Sequence, residues 1–272
     1  MPWQLGHNPY PCSRRLKDVR FCMDIAMPPA FPEDEFRAFG LAAQSFFPPL
    51  LSEENLSDAL ERRRHFDWSW QAVRYRYRIC AESADEFKAL LADASDEWRE
   101  GFGGDEGLVY RLERCIYVFF MSALSVFESF GFCLYFLGSA VEESGFPYFN
   151  KPKKITLAVT SAAFAKTFPH TKIASQLAGL LHARDFTSID ALRNILAHRV
   201  SGRRSVRVSS TAHFDGNTTH VREETWHIPG SSEVLVFSGE MLHQHLAQLT
   251  AQLVSLVAAA REFSQNCQSA TA

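Results

Sequence analysis

The sequence predicts a mostly helical, all-α bundle carrying a small β-hairpin insertion near residues 204–228. Three observations predict it. Apolar residues recur at helical spacing over long windows, the stretch Cys115 to Val141 is almost uninterrupted apolar sequence, and strand-like alternation is confined to a short region around Asp215-Gly216. With 272 residues the chain is long enough to bury a substantial core, and 23 Phe imply that this core is bulky and aromatic.

Residues 1–33 are proline-punctuated, ending in Pro28, Pro29 and Pro32, and read as an irregular arm. Residues 34–100 read as an N-terminal helical segment packed on the bundle. Helical sequence starts near Glu33 and stops before Pro48-Pro49, and Ser52 with Glu54 opens a second helix. Within it Val73, Tyr75, Tyr77 and Ile79 alternate with arginines, as a strand would. A longer count decides for helix: Phe66, Trp70, Val73, Tyr77, Cys80, Ala84, Phe87 and Leu91 fall at unbroken steps of four and three. Gly101 to Gly107 reads as a loop, and no Lys-Ser/Thr follows it to make a phosphate loop.

Residues 108–264 read as the main helical domain, followed by a tail, 265–272. Its long apolar helix runs from about Leu108 to Glu143, with shorter helices expected over 156–167 and 171–184. Thr187 and Ser188 supply an N-cap for a helix from Ile189 to about Val200, with Gly202 beyond its end. In the hairpin a two-residue Asp215-Gly216 turn sets Arg207 opposite Glu224. The last helix, about 239–264, carries Met241, Leu242, Leu246, Leu249, Leu253, Leu256 and Val257 on one stripe.

Composition narrows function. A net charge of −3 argues against coating nucleic acid through bulk charge, so any such contact needs a local patch. The six cysteines form no C-x-x-C pair and no even framework, and read as thiols in a reducing compartment. The N-terminus lacks the basic-then-apolar order of a secretory signal, so the cytoplasm is the expected location. Cys115 to Val141 exceeds the roughly 20 residues a membrane span needs. Glu128 at its middle and Ser122, Ser125, Ser129 and Ser139 fit a core helix better than lipid; a membrane-embedded protein is the competing reading.

The chemistry concentrates in residues 189–200. At about 100° per residue, Ile189, Leu192, Ile195 and Leu196 gather on one face, and Asp190, Arg193, Asn194, Ala197 and His198 on the other. An ordinary solvated face offers Lys, Glu and Gln; this one offers a guanidinium, an amide and an imidazole. Arg193 can hold two phosphate oxygens and stabilise charge that grows as a ribose 2′-hydroxyl attacks its own phosphodiester. His198 can move protons near neutral pH, and Asn194 can orient either group. Such a cleavage needs no metal or other cofactor, and no metal-ligand cluster is evident.

The stretch Ile189-Asp190-Ala191-Leu192-Arg193-Asn194-Ile195-Leu196-Ala197-His198-Arg199 resembles the Arg-x4-His signature of the HEPN superfamily, the helical domains found in higher eukaryotes and prokaryotes. Asn194, straight after the arginine, also fits that pattern. The resemblance implies a HEPN-like bundle over about 108–264, a homodimer whose two motifs form one composite ribonuclease site, and a setting in toxin–antitoxin, antiphage defence or stress response, with an antitoxin or defence protein as partner. It assigns Arg193, Asn194 and His198 as catalytic, with Asp190 and Glu128 in support; Glu128 is similar to an acidic residue on the family's central helix. Other members only bind RNA, nucleotide or protein, which is the alternative. The N-terminal hundred residues have no counterpart in the family.

Two further groups bear on RNA. Arg199, Arg203, Arg204 and Arg207 extend the site along a backbone, or are helix-end and strand-edge cations. Arg62, Arg63, Arg64, Arg74, Arg76 and Arg78 interleave with Trp68, Trp70, Tyr75 and Tyr77 as in a base-stacking surface, although the helical count sends Trp70 and Tyr77 to the core. His213, His220, His227, His243 and His245 lack companions at ligand spacing.

Overall fold

The computed structural model describes residues 30–47, 57–99, 106–148, 150–198, 203–212, 218–227 and 234–271; at 57, 94–99, 198, 270–271 and most of 203–237 it describes the backbone alone. The expected irregular arm up to residue 29, the Ser52 helix start, the Asp215-Gly216 turn and Gly202 lie outside the described residues.

The architecture is all-α. α1 (Glu33–Gln44) opens with Glu33, Asp34 and Glu35, whose charges suit the positive end of the helix dipole. α2 (Ser57–Arg99) and α3 (Glu106–Val141) form a long helical hairpin at the heart of the molecule. The α2 face read from spacing is the face that packs: Phe66, Trp70, Val73, Tyr77, Cys80, Ala84 and Phe87 are buried. At its end Leu90 is buried and Leu91 half-buried, so the stripe closes one residue earlier than the spacing places it. α3 starts two residues before Leu108, taking Gly107 into the helix.

α3 is long and apolar enough to cross a membrane, and 61% of its most apolar window is buried inside the protein. Phe119, Phe120, Phe127, Phe130 and Phe136 on it are buried against the other helices, which is how a core helix satisfies an apolar circumference. Gly138 lets Phe146 approach α3 so closely that an added methyl would overlap the ring.

α4 (Leu157–Thr167), α5 (Lys172–His182) and α6 (Arg184–His198) follow. Thr156 caps α4 by accepting from the Val159 N–H at 3.2 Å. α6 departs from expectation at its start. It begins at Arg184, so Thr187 and Ser188 are its fourth and fifth residues, and the Thr187 hydroxyl donates back to the Arg184 carbonyl instead of capping. Burying Phe186 against Phe127 of α3 is what extends it: their rings meet edge to face at 5.5 Å.

Between α6 and α7 the backbone pairs as a small antiparallel sheet, β1 (Arg203–Ala212), β2 (Thr218–His227) and β3 (Val234–Phe237), in that order. The register sets Arg207 opposite Glu223, one residue from the expected Glu224. α7 (Met241–Thr271) buries every residue of its expected stripe. It also absorbs most of the expected tail: the Gln268 side-chain amide donates to the Ala42 carbonyl at 3.0 Å and to the Ser45 hydroxyl at 2.6 Å, tying the final turns to α1. One continuous core runs from Phe31 to Phe263, so residues 34–100 share it with the rest.

Candidate functional site

α6 presents its two faces as the sequence divides them. Ile189 and Leu192 are buried, and Ile195 and Leu196 pack half-buried against the same core. This anchoring turns Asp190, Arg193 and Asn194 the other way. Asn194 is exposed, and Asp190 and Arg193 are partly exposed.

The three polar side chains are linked. The Arg193 Nη1 donates to the Asn194 Oδ1 at 2.9 Å, and the Asn194 Nδ2 donates to the Asp190 Oδ1 at 3.2 Å. Asp190 thus fixes which end of the Asn194 amide faces Arg193, since the NH2 must point to the carboxylate and the carbonyl to the guanidinium. The guanidinium spends one of its five N–H donors on this bond, and among the described residues no carboxylate lies within ion-pairing distance of it. His198 is the last residue of α6, one turn beyond Asn194.

Neither the protein-family models, nor the curated proteins, nor the solved structures compared with this chain include a match to it.

Glu128 keeps different company. Its Oε2 accepts the Leu157 N–H at 3.2 Å, at the start of α4, and its charge acts on Arg76 of α2. Arg199 lies outside the described residues, while Arg203, Arg204 and Arg207 fall on β1, paired with His227, Trp226 and Glu223. Among the described residues no group of three or more His, Cys, Asp or Glu is placed to hold a metal ion. His243 instead meets Asp85 at 2.9 Å, and His245 packs on Phe120.

Most of the α2 arginines are engaged within the protein. Arg62 pairs with Glu143 at 2.7 Å, Arg74 with Glu33 at 3.0 Å, Arg78 with Glu82 at 2.6 Å and Arg63 with Asp67 at 3.6 Å. The first two tie α2 to other segments, the last two lie along α2 itself, and together they leave little of that run for a phosphate backbone. Arg76 differs. It reaches α3, donating to the Ser125 carbonyl at 3.0 Å and to the Ser129 hydroxyl, and burial holds its guanidinium below the usual arginine range while Glu128 pulls it back up.

Arg76 lines a cleft of about 360 Å³ between α2, α3 and the segment entering α4, together with His65, Trp68, Glu128, Phe132 and Ile155. The sequence reading missed this cleft. One signal was present: Trp68, Ala72 and Arg76 stand at i, i+4 and i+8, so a small residue sits between an aromatic and a cation on one ridge of α2.

Proposed function

We propose that this protein is an endoribonuclease of the HEPN type that works without a metal, acting as a cytoplasmic homodimer in toxin–antitoxin, antiphage or stress-response biology. The observation that carries the reading is the hydrogen-bonded row Arg193–Asn194–Asp190 on the outward face of α6, ending one turn later in His198.

In this reading the ribose supplies its own nucleophile. His198 takes the proton of the 2′-hydroxyl as its oxygen attacks the adjacent phosphorus, and the P–O bond to the 5′-oxygen breaks. The leaving oxygen takes a proton from the protonated His198 of the second copy, and a 2′,3′-cyclic phosphate remains. Arg193 holds the non-bridging oxygens and stabilises their growing charge. Asp190 is a positioning residue that acts through Asn194. Arg199, Arg203, Arg204 and Arg207 would extend RNA contact beyond the motif.

The test uses the full chain, an end-labelled single-stranded RNA and EDTA. Cleavage leaving cyclic phosphate ends, lost by at least about 100-fold in both Arg193→Ala and His198→Ala, supports the reading. RNA binding without cleavage replaces it with a non-catalytic binding module, and recovery of the protein only in detergent-extracted membranes points to the membrane-embedded alternative.

A further inference from the structure

The cleft beside Arg76 is built differently from the α6 face and answers to a different ligand. On its α2 wall Trp68 is 64% exposed, which leaves its indole open to a ligand at the mouth of the cleft. Ala72 leaves a gap one turn further on, and Arg76 closes the end. Across from them Glu128 retains an oxygen beyond the one that accepts the Leu157 N–H. His65 is fixed by stacking on Phe136 at 4.7 Å and meeting Trp68 and Phe132 edge to face, so the aromatic rim is held in place.

Arg76 spends Nη1 on the Ser125 carbonyl and the Ser129 hydroxyl, so the site offers a flat stacking surface, the Nε–Nη2 side of a guanidinium and a carboxylate acceptor, one positive and one negative charge. A ligand that matches all three is flat and carries an acceptor edge beside a donor edge. Guanine does so: O6 and N7 accept two guanidinium N–H groups side by side, while N1–H and the 2-amino group donate to a carboxylate. Adenine presents one acceptor and one amino group on that edge, and the pyrimidines present less surface to stack. The volume lies in the roughly 300–1,000 Å³ range of small-molecule sites.

We propose that this cleft binds a guanine base, stacked on Trp68 and held between Arg76 and Glu128. The base comes either from a free nucleotide or from a single RNA strand, and the site stands independently of the α6 reading because it is detected by binding rather than cleavage.

The test titrates the full-length protein with GMP, AMP, CMP and UMP, which share a phosphate and differ only in the base, by calorimetry. GMP is expected to bind tighter than about 1 mM and at least about fivefold tighter than the others. Trp68→Ala, at an exposed position that leaves the fold intact by circular dichroism, weakens GMP by about 5- to 100-fold. Glu128→Gln keeps an acceptor for Leu157 but substitutes a donor for the second oxygen, and erases the preference for GMP over AMP. A uridine oligomer with one guanosine then assigns the source: tighter than GMP means an RNA strand, weaker means a free nucleotide, and both outcomes sustain guanine recognition. Equal binding of all four nucleotides, no binding of GMP, or GMP affinity unchanged in Trp68→Ala overturns the proposal.

Discussion

Glu128, at the middle of the most apolar helix, accepts the backbone N–H of Leu157 at the first turn of α4. A carboxylate on the side of one helix thereby serves as an end cap for another, joining α3 to α4 and answering an N–H that no intrahelical carbonyl can reach.

Glu128→Ala is accordingly expected to lower stability by about 1.5–3 kcal/mol, the usual worth of a hydrogen bond to a charged group. Glu128→Gln retains an acceptor and loses less. Urea unfolding followed by circular dichroism separates the two, and equal losses would mean that the charge rather than the hydrogen bond matters.

Gly138 and Phe146 provide a packing prediction. A Cβ at Gly138 would overlap the Phe146 ring, and that ring is fully buried between Tyr135, Phe164 and Phe168 with nowhere to retreat. Gly138→Ala is expected to cost about 1–3 kcal/mol through overpacking, even though alanine is the better helix former. A thermal midpoint equal to or above that of the parent would refute it.

What the sequence made legible follows from range. The faces of α2, α6 and α7 depend on a period within one helix, and the buried sets there match the spacing nearly residue for residue. Asp190 and Asn194 share the expected polar face of α6, while the hydrogen bond between them is added by the structure. The cleft escaped notice because Arg76 meets Ser125 and Ser129 across 49 and 53 residues, and nothing local says which part of α3 faces α2. Helix ends were missed where tertiary contacts overrode local signals, as Phe186 did at α6 and Gln268 at α7.

If the α6 reading holds, Asp190 matters through geometry rather than contact with RNA. Asp190→Ala frees the Asn194 amide to flip and is expected to slow cleavage by about 10- to 100-fold, the cost of a misplaced catalytic neighbour. Asp190→Asn keeps an acceptor oxygen and recovers most of the rate. Single-turnover cleavage at saturating RNA distinguishes this from a binding defect; an unchanged rate in Asp190→Ala would remove Asp190 from the site.

His245 makes the fold sensitive to acid. Burial lowers its imidazole pKa below the usual value of 6.5, only partly offset by a hydrogen bond with Gln248 and the charge of Asp185. Its ring packs edge to face on Phe120 at 5.3 Å, and Nδ1 is buried without a hydrogen-bond partner among the described residues. The unfolded chain binds a proton near pH 6.5 while the folded chain does not, so the unfolded state carries more protons below that pH and stability falls as pH falls. The loss can reach about 1.4 kcal/mol per pH unit until the folded-state pKa is passed. His245→Phe keeps the ring contact and removes the titration, so its urea midpoints at about pH 7.5 and about pH 5.5 should differ less than those of the parent protein. Equal pH dependence in the two proteins would assign the acid sensitivity to other groups.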